Sequence, residues 1–220
     1  MSIWNTNAQK LNQAPDDEFY TPDCLWEAIQ DKIPSDQVIW EAFGNNPDLD
    51  SYKFMERHSD KTPLVCQGDF FTPDNKGWHT DNVIVTNPPF SIIDKIFMKL
   101  KHTEKSFILV MPPQKLYTKY FNDIWKDELE NICIISTHIR YNFYAINNTD
   151  KDLITVDCKK RVKNPDYIQG KSTKTIQKQI TIKAGERYYK AGPPIVYMCY
   201  KMPFMEDMKK QKGVMNMIFL

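Results

Sequence analysis

Along the first half of the chain, short apolar runs alternate with stretches whose apolar residues recur at helical spacing. Leu25, Trp26, Ile29 and Ile33 share one helical face, preceded by Thr21-Pro22-Asp23 and stopped by Pro34. That triplet predicts a helix start: a hydroxyl N-cap, proline at the first helical position and an acid in the first turn. Val38 to Phe43 is apolar except for Glu41 and is bounded by Gly44-Asn45-Asn46-Pro47, predicting a buried strand that runs into a turn. Residues 51–58 predict a short helix with Tyr52, Phe54 and Met55 as its apolar members. Leu64-Val65-Cys66 predicts a second strand, followed by Gly68-Asp69-Phe70-Phe71 and a loop rich in Pro, Asn and Gly. Val83-Ile84-Val85-Thr86 is β-branched throughout, hence a strand, closed abruptly by Asn87-Pro88-Pro89-Phe90. Ser91 is placed to cap the next helix, with Ile92, Ile93, Ile96, Phe97 and Leu100 inward. Phe107 to Met111 predicts another strand, stopped by Pro112-Pro113, and 117–129 a helix with Tyr120, Phe121, Ile124 and Trp125 inward.

Apolar strands alternating with helical segments predict an α/β fold whose sheet is mostly parallel and covered by helices on both faces. Beyond residue 131 the character changes. Ile132–Ile139, Tyr141–Ile146, Leu153–Cys158, Ile176–Ile182 and Ile195–Tyr200 all read as strands with no helix between them, so a β-ribbon insertion near the C-terminus is expected. The Asn- and Gln-rich residues 1–17 read as a leader. Residues 18–220 then form one domain with its insertion at about 140–190.

Composition narrows the class. A chain of 220 residues with 41% hydrophobic and 13% aromatic content can bury one substantial core and is not a disordered segment. No run has the apolar length of a membrane span, and the N-terminus lacks a signal-peptide profile. Cys24, Cys66, Cys133, Cys158 and Cys199 follow neither metal-ligand nor disulfide spacing, and His58, His79, His102 and His138 sit at no ligand spacing either. The expectation is a metal-free protein of a reduced intracellular compartment, cytoplasmic or nuclear, with no membrane partner.

The net charge of +1 conceals a gradient. Residues 1–100 carry 8 Lys/Arg against 16 Asp/Glu, whereas residues 151–190 carry 11 against 4. Lys159, Lys160, Arg161 and Lys163 head the basic stretch, which continues through Lys171, Lys174, Lys178 and Lys183 with Tyr167, Tyr188 and Tyr189 interleaved. Such a segment reads equally as a phosphate-contacting surface or as a solvated ribbon.

Asn87-Pro88-Pro89-Phe90 carries the most specific chemistry. In open α/β sheets, ligands bind outside the carboxyl ends of the strands, where this tetrapeptide falls. The exocyclic amine of adenine is a poor nucleophile because its lone pair is delocalised into the ring. A carboxamide oxygen from Asn87 and the backbone carbonyl of Pro88 can each accept one of its N–H groups, localising the lone pair and aiming it. Pro88 and Pro89 hold the backbone in direction, and Phe90 offers a flat face for the base.

With these residues the chain resembles the amino-group adenine methyltransferases that use S-adenosylmethionine. The likeness follows the family's motif order over roughly residues 18–121. Phe19-Tyr20-Thr21-Pro22 looks like the upstream motif beside the methionine moiety of the cofactor. Glu41-Ala42-Phe43-Gly44 looks like the first cofactor motif, and Asp69-Phe70 like the carboxylate and aromatic that read the cofactor's adenine. Phe107 to Lys115 resembles the next strand and its proline-containing end, and Ile195 to Met202 the final strand of a Rossmann-like methyltransferase sheet. The first cofactor motif departs from the pattern: Gly44 is its only glycine, followed by Asn45, Asn46 and Pro47, and Gln67 stands where the family has an acid.

The resemblance implies methylation of the N6 amine of a flipped-out adenine in DNA, with bacterial, viral or phage enzymes the nearest in arrangement. The insertion, a partner subunit or a second copy would supply target recognition. Three alternatives stay open at this level: an RNA substrate such as an adenosine near an mRNA end, an inert relative that binds nucleic acid or a partner, and a glutamine-directed protein methyltransferase.

Overall fold

A computed structural model describes residues 20–44, 48–65, 69–137, 141–146, 153–163, 173–183, 186–192, 194–208 and 213–220. The expected leader, Phe19, Asn45, Asn46, Pro47, Cys66, Gln67, Gly68, His138, Tyr167 and Lys171 lie outside the described residues. The chain forms two compact units, one from Met1–Tyr141 with Ala191–Leu220 and one from Asn142–Lys190.

The first unit is built on a seven-stranded sheet. Its strands are β1 (Ile39–Glu41), β2 (Leu64–Val65), β3 (Val83–Thr86), β4 (Phe107–Met111), β5 (Ile132–Ser136), β10 (Val196–Tyr200) and β11 (Asn216–Phe219). In space the order is β11-β5-β10-β4-β3-β1-β2. Only β10 runs against its neighbours; every other pair is parallel. All residues of β1, β3, β4 and β10 are buried, as expected of strands packed on both faces, which is why they read as apolar runs broken only by Glu41 and Thr86. Among the described residues, five α-helices accompany the sheet: α1 (Asp23–Glu27), α2 (Asp50–His58), α3 (Lys76–His79), α4 (Ile93–Thr103) and α5 (Lys119–Trp125). Among the described residues, no helix is long and apolar enough to cross a membrane.

Helix faces follow the sequence pattern more closely than helix ends do. Ile92, Ile93, Ile96, Phe97 and Leu100 are all buried, and α4 packs against α5 through Phe97, whose ring centroid lies 5.8 Å from that of Phe121 and 6.0 Å from that of Trp125. The expected caps at Thr21 and Ser91 do not form. Pro22, extended at ψ 152°, takes the cap position of α1 and brings no side-chain acceptor. Phe90–Ile92 coil into a 3₁₀ turn, so α4 begins at Ile93 with Ile92 at its cap. The helix expected over 117–129 is shorter, because Pro113 starts a 3₁₀ turn through Tyr117 and Thr118 caps α5, accepting from the Phe121 N–H at 3.3 Å.

The second unit contains β6 (Asn142–Ile146) paired with β9 (Arg187–Ala191), and a long antiparallel ribbon of β7 (Leu153–Lys163) and β8 (Thr173–Lys183). The ribbon runs in register from Leu153↔Lys183 to Lys163↔Thr173. The chain leaves the first unit beyond the carboxyl end of β5 and re-enters it just before β10, where the Gly192 N–H donates to the Tyr141 carbonyl at 3.1 Å. Two strands, β9 and β11, were not expected from the sequence. The run Ile195–Met202 is accordingly not the last strand, since β11 follows it and lies parallel to β5 at the sheet edge.

Candidate functional site

Strand order singles out one place on the first unit. From β1 the sheet grows to β2 on one side and to β3 and β4 on the other, so the order reverses between β1 and β3. Ligands of open α/β sheets bind at the carboxyl ends of the strands flanking such a reversal. Here those ends carry Glu41 and Thr86.

Glu41 closes β1 and is buried, and the Thr86 hydroxyl at the end of β3 donates directly to its Oε1. The Phe43 N–H donates to the same oxygen at 3.4 Å. Burial pushes the carboxyl up from 4.5 to about 7, opposed by hydrogen bonds from Thr86, Phe43, Gly44 and Ser51. All four partners are neutral donors. Gly44 packs so closely that a Cβ there would lie 2.4 Å from Glu41 Cγ, which accounts for a glycine at this turn. Ala42 between them is fully buried.

A buried carboxyl raised in this way carries a stability signature. Its folded-state value lies above its unfolded one, so between about pH 4.5 and 7 the unfolded chain releases a proton that the folded chain keeps. Folding stability is therefore expected to fall across that window by about 3 kcal/mol and to stay lower above it. Glu41→Gln should remove this slope. Chemical denaturation of both proteins at pH 5 and pH 8 measures it, and parallel pH profiles would refute the assignment.

Asn87 follows Thr86 at the end of β3. Its carboxamide Oδ1 is buried and has no hydrogen-bond partner among the described residues. A buried acceptor left open in this way costs about 1–3 kcal/mol; Asn82 Oδ1 and the Tyr120 and Tyr141 hydroxyls are open likewise, and Asn87 differs from them in standing beside the strand-order reversal. Pro88 and Pro89 are buried behind it, with Pro89 extended at φ −65° and ψ 119°, and Phe90 is half-buried. From the turn beyond β4, Lys115 Nζ donates to the Phe90 carbonyl at 3.0 Å and ties the two loops together.

The segment after β2 is held by its own hydrogen bonds. Asp69 Oδ1 accepts from the Phe71 N–H at 2.9 Å in an Asx turn, and its carbonyl accepts from the Thr72 hydroxyl at 2.9 Å and Asn75 Nδ2 at 3.3 Å. Asn75 then caps α3 through the Gly77 N–H at 3.0 Å. Phe70 is fully buried, its centroid 4.6 Å from Phe43, 4.8 Å from Trp78 and 5.9 Å from Trp40. Its ring fills a core site and turns no face outward; the half-buried rings bordering it are Phe43, Phe71 and Trp78.

Of the residues singled out by sequence, the fold brings Glu41, Phe43, Gly44 and Phe70 together and sets Asn87 next to Glu41's donor, Thr86. Tyr20 is half-buried, and Thr21 and Pro22 are buried at the entry to α1, which is tied to β10 by the Tyr197 hydroxyl donating to the Leu25 carbonyl. Lys159, Lys160, Arg161 and Lys163 belong to the second unit, on β7 opposite Gln177, Ile176, Thr175 and Thr173. Sequence reasoning missed Thr86, Ser51 and Lys115. Thr86 had left a trace, as the sole hydroxyl in the run Val83–Thr86. In comparison with known proteins, the chain matches no family model and no curated protein.

Proposed function

We propose that the protein is an S-adenosylmethionine-dependent methyltransferase that acts on the exocyclic N6 amine of an adenine in DNA. The observation that carries this reading is the open, buried carboxamide oxygen of Asn87 at the carboxyl end of β3, beside the strand-order reversal. One amine N–H of a bound adenine would be accepted there and the other by the Pro88 carbonyl, which pins the nitrogen and directs its lone pair. Phe90 is half-buried, as a ring stacking on that base would be. The mostly parallel sheet agrees with a Rossmann-like methyltransferase fold.

The residues at the β1 end fit the cofactor. Glu41 is a buried carboxyl whose four hydrogen-bond partners are all neutral, so a cationic ligand would meet no competing positive charge among them and would draw it to its ionised form. Gly44 and Phe43 border it, and Asp69 and the rings beside Phe70 form the adjoining wall. When bound, S-adenosylmethionine supplies an electrophilic methyl group. The chain's own task is then to hold the amine in line and to exclude water, work that needs positioning and no covalent intermediate with the protein.

Target recognition is assigned to the basic second unit, aided by a partner subunit or a second copy. Neutralising Lys159, Lys160, Arg161 and Lys163 together should weaken nucleic-acid binding and lower the salt-dependence slope by up to about 4, leaving cofactor affinity unchanged. An unchanged slope would take phosphate contact away from this strand. The activity itself is tested by incubating the protein with labelled cofactor and double-stranded DNA, single-stranded DNA or RNA. Transfer to DNA is the expected result, and transfer to RNA alone would move the substrate. No transfer together with no calorimetric cofactor binding would refute the enzyme.

A further inference from the structure

Among the large apolar side chains of the described residues, the most exposed is Tyr117, at 87%. Single exposed aromatics are ordinary on protein surfaces and need no explanation by themselves. Three further observations set this one apart. It ends the 3₁₀ turn Pro113–Tyr117, directly beyond the carboxyl end of β4, while the loop Asn87–Phe90 lies directly beyond the carboxyl end of the neighbouring strand β3. Lys115, two residues before it, donates from Nζ to the Phe90 carbonyl at 3.0 Å, so its turn is fastened to that loop. The turn is also rigid. The Lys115 N–H donates to the Pro112 carbonyl at 3.0 Å, and the Thr118 hydroxyl donates to the Lys115 carbonyl at 2.7 Å while capping α5.

A ring on a fixed backbone, in solvent, at the rim of the Asn87 loop has a clear use if the proposed function holds, and the inference rests on that reading. When a target base leaves its strand for the loop, its neighbour loses a stacking partner on one side. An aromatic ring held at the rim can replace it, and does so for any base because every base offers a π-face. We infer that Tyr117 is a nucleobase-stacking residue, seated against the base next to the flipped adenine. It touches the substrate strand and not the reacting amine, so it acts on binding and on base extrusion.

The test compares the full-length protein with Tyr117→Ala and Tyr117→Phe, by fluorescence anisotropy on short labelled DNA duplexes and single strands and by methyl-transfer kinetics. Tyr117→Ala should weaken DNA binding by about five- to a hundredfold, chiefly raising KM. Tyr117→Phe keeps the ring and should bind within about twofold of the parent. Thermal unfolding and calorimetric cofactor binding should be unchanged in both, since the side chain packs against little. Wild-type DNA binding that Tyr117→Ala leaves intact would overturn the stacking role alone. A wild-type protein that neither binds nucleic acid nor transfers a methyl group would overturn the function, and this inference with it.

Discussion

Replacing Asn87 by alanine is expected to lower methyl transfer by about a thousandfold while leaving folding stability unchanged or raised. On the proposed function, the rate loss follows from removing the acceptor assigned to the amine, the kind of preorganised contact whose deletion typically costs 10² to 10³ in rate. The stability half of the prediction follows from the same atom. Among the described residues the Asn87 Oδ1 is buried without a partner, so its removal breaks none of their hydrogen bonds and relieves an unmet desolvation cost. A residue retained for packing would behave in the opposite way. Activity measured with labelled cofactor and thermal unfolding of the same preparation separate the two. Full transfer by Asn87→Ala, or a marked loss of stability in it, would defeat the assignment.

The second large effect is on folding. Gly77, in the four-residue helix α3, sits against the fully buried ring of Trp40, and a Cβ at this position would meet three Trp40 ring atoms at 2.2–2.5 Å. Trp40 cannot give way. Its ring stacks 5.9 Å from Phe70 and meets Trp78 edge-on at 4.9 Å. The helix cannot easily shift either, because Asn75 caps it and Asn82 Nδ2 donates to the Gly77 carbonyl at 2.7 Å. Gly77→Ala should therefore destabilise the protein by about 3 kcal/mol, roughly 6–12 °C in Tm. Since Trp40 precedes Glu41 on β1, the shift should also weaken the proposed cofactor binding. An unchanged melting temperature would show that this packing is looser than the geometry implies.

Strands were the legible part of the fold. Val83–Thr86 and Phe107–Met111 are apolar at every position but one, because strands buried on both faces admit little else. Direction and neighbours were not legible. Nothing in Val196–Tyr200 distinguishes an antiparallel strand between β4 and β5 from a parallel one at an edge, as lateral pairing leaves no mark on a strand's own periodicity. β11 has a related explanation: its half-buried, Met-containing run has no distinctive strand pattern, and its register with β5 supplies what its pattern lacks. At the site, Asn87 and Glu41 stood out as a turn motif and as a charge inside an apolar run. Their link through Thr86 did not, since that bond spans 45 positions. Phe70 shows the reverse error. A motif position expected to face a ligand instead fills the core among Trp40, Phe43 and Trp78, because a ring flanked by that much aromatic surface gains more from burial.

The hydrogen bond between Gly192 and Tyr141 has an evolutionary corollary. Forty-nine residues depart from the first unit and return to it through a doorway one hydrogen bond wide. Closing that doorway around a longer or shorter excursion changes the entropy of the loop only logarithmically. The strands on either side, β5 and β10, pair directly from Val196↔Ser136 to Tyr200↔Ile132, with no residue of the second unit in that ladder. The ribbons can thus be lengthened, trimmed or exchanged by drift while the seven-stranded sheet stays as it is. The second unit can diverge between lineages faster than the sheet it departs from.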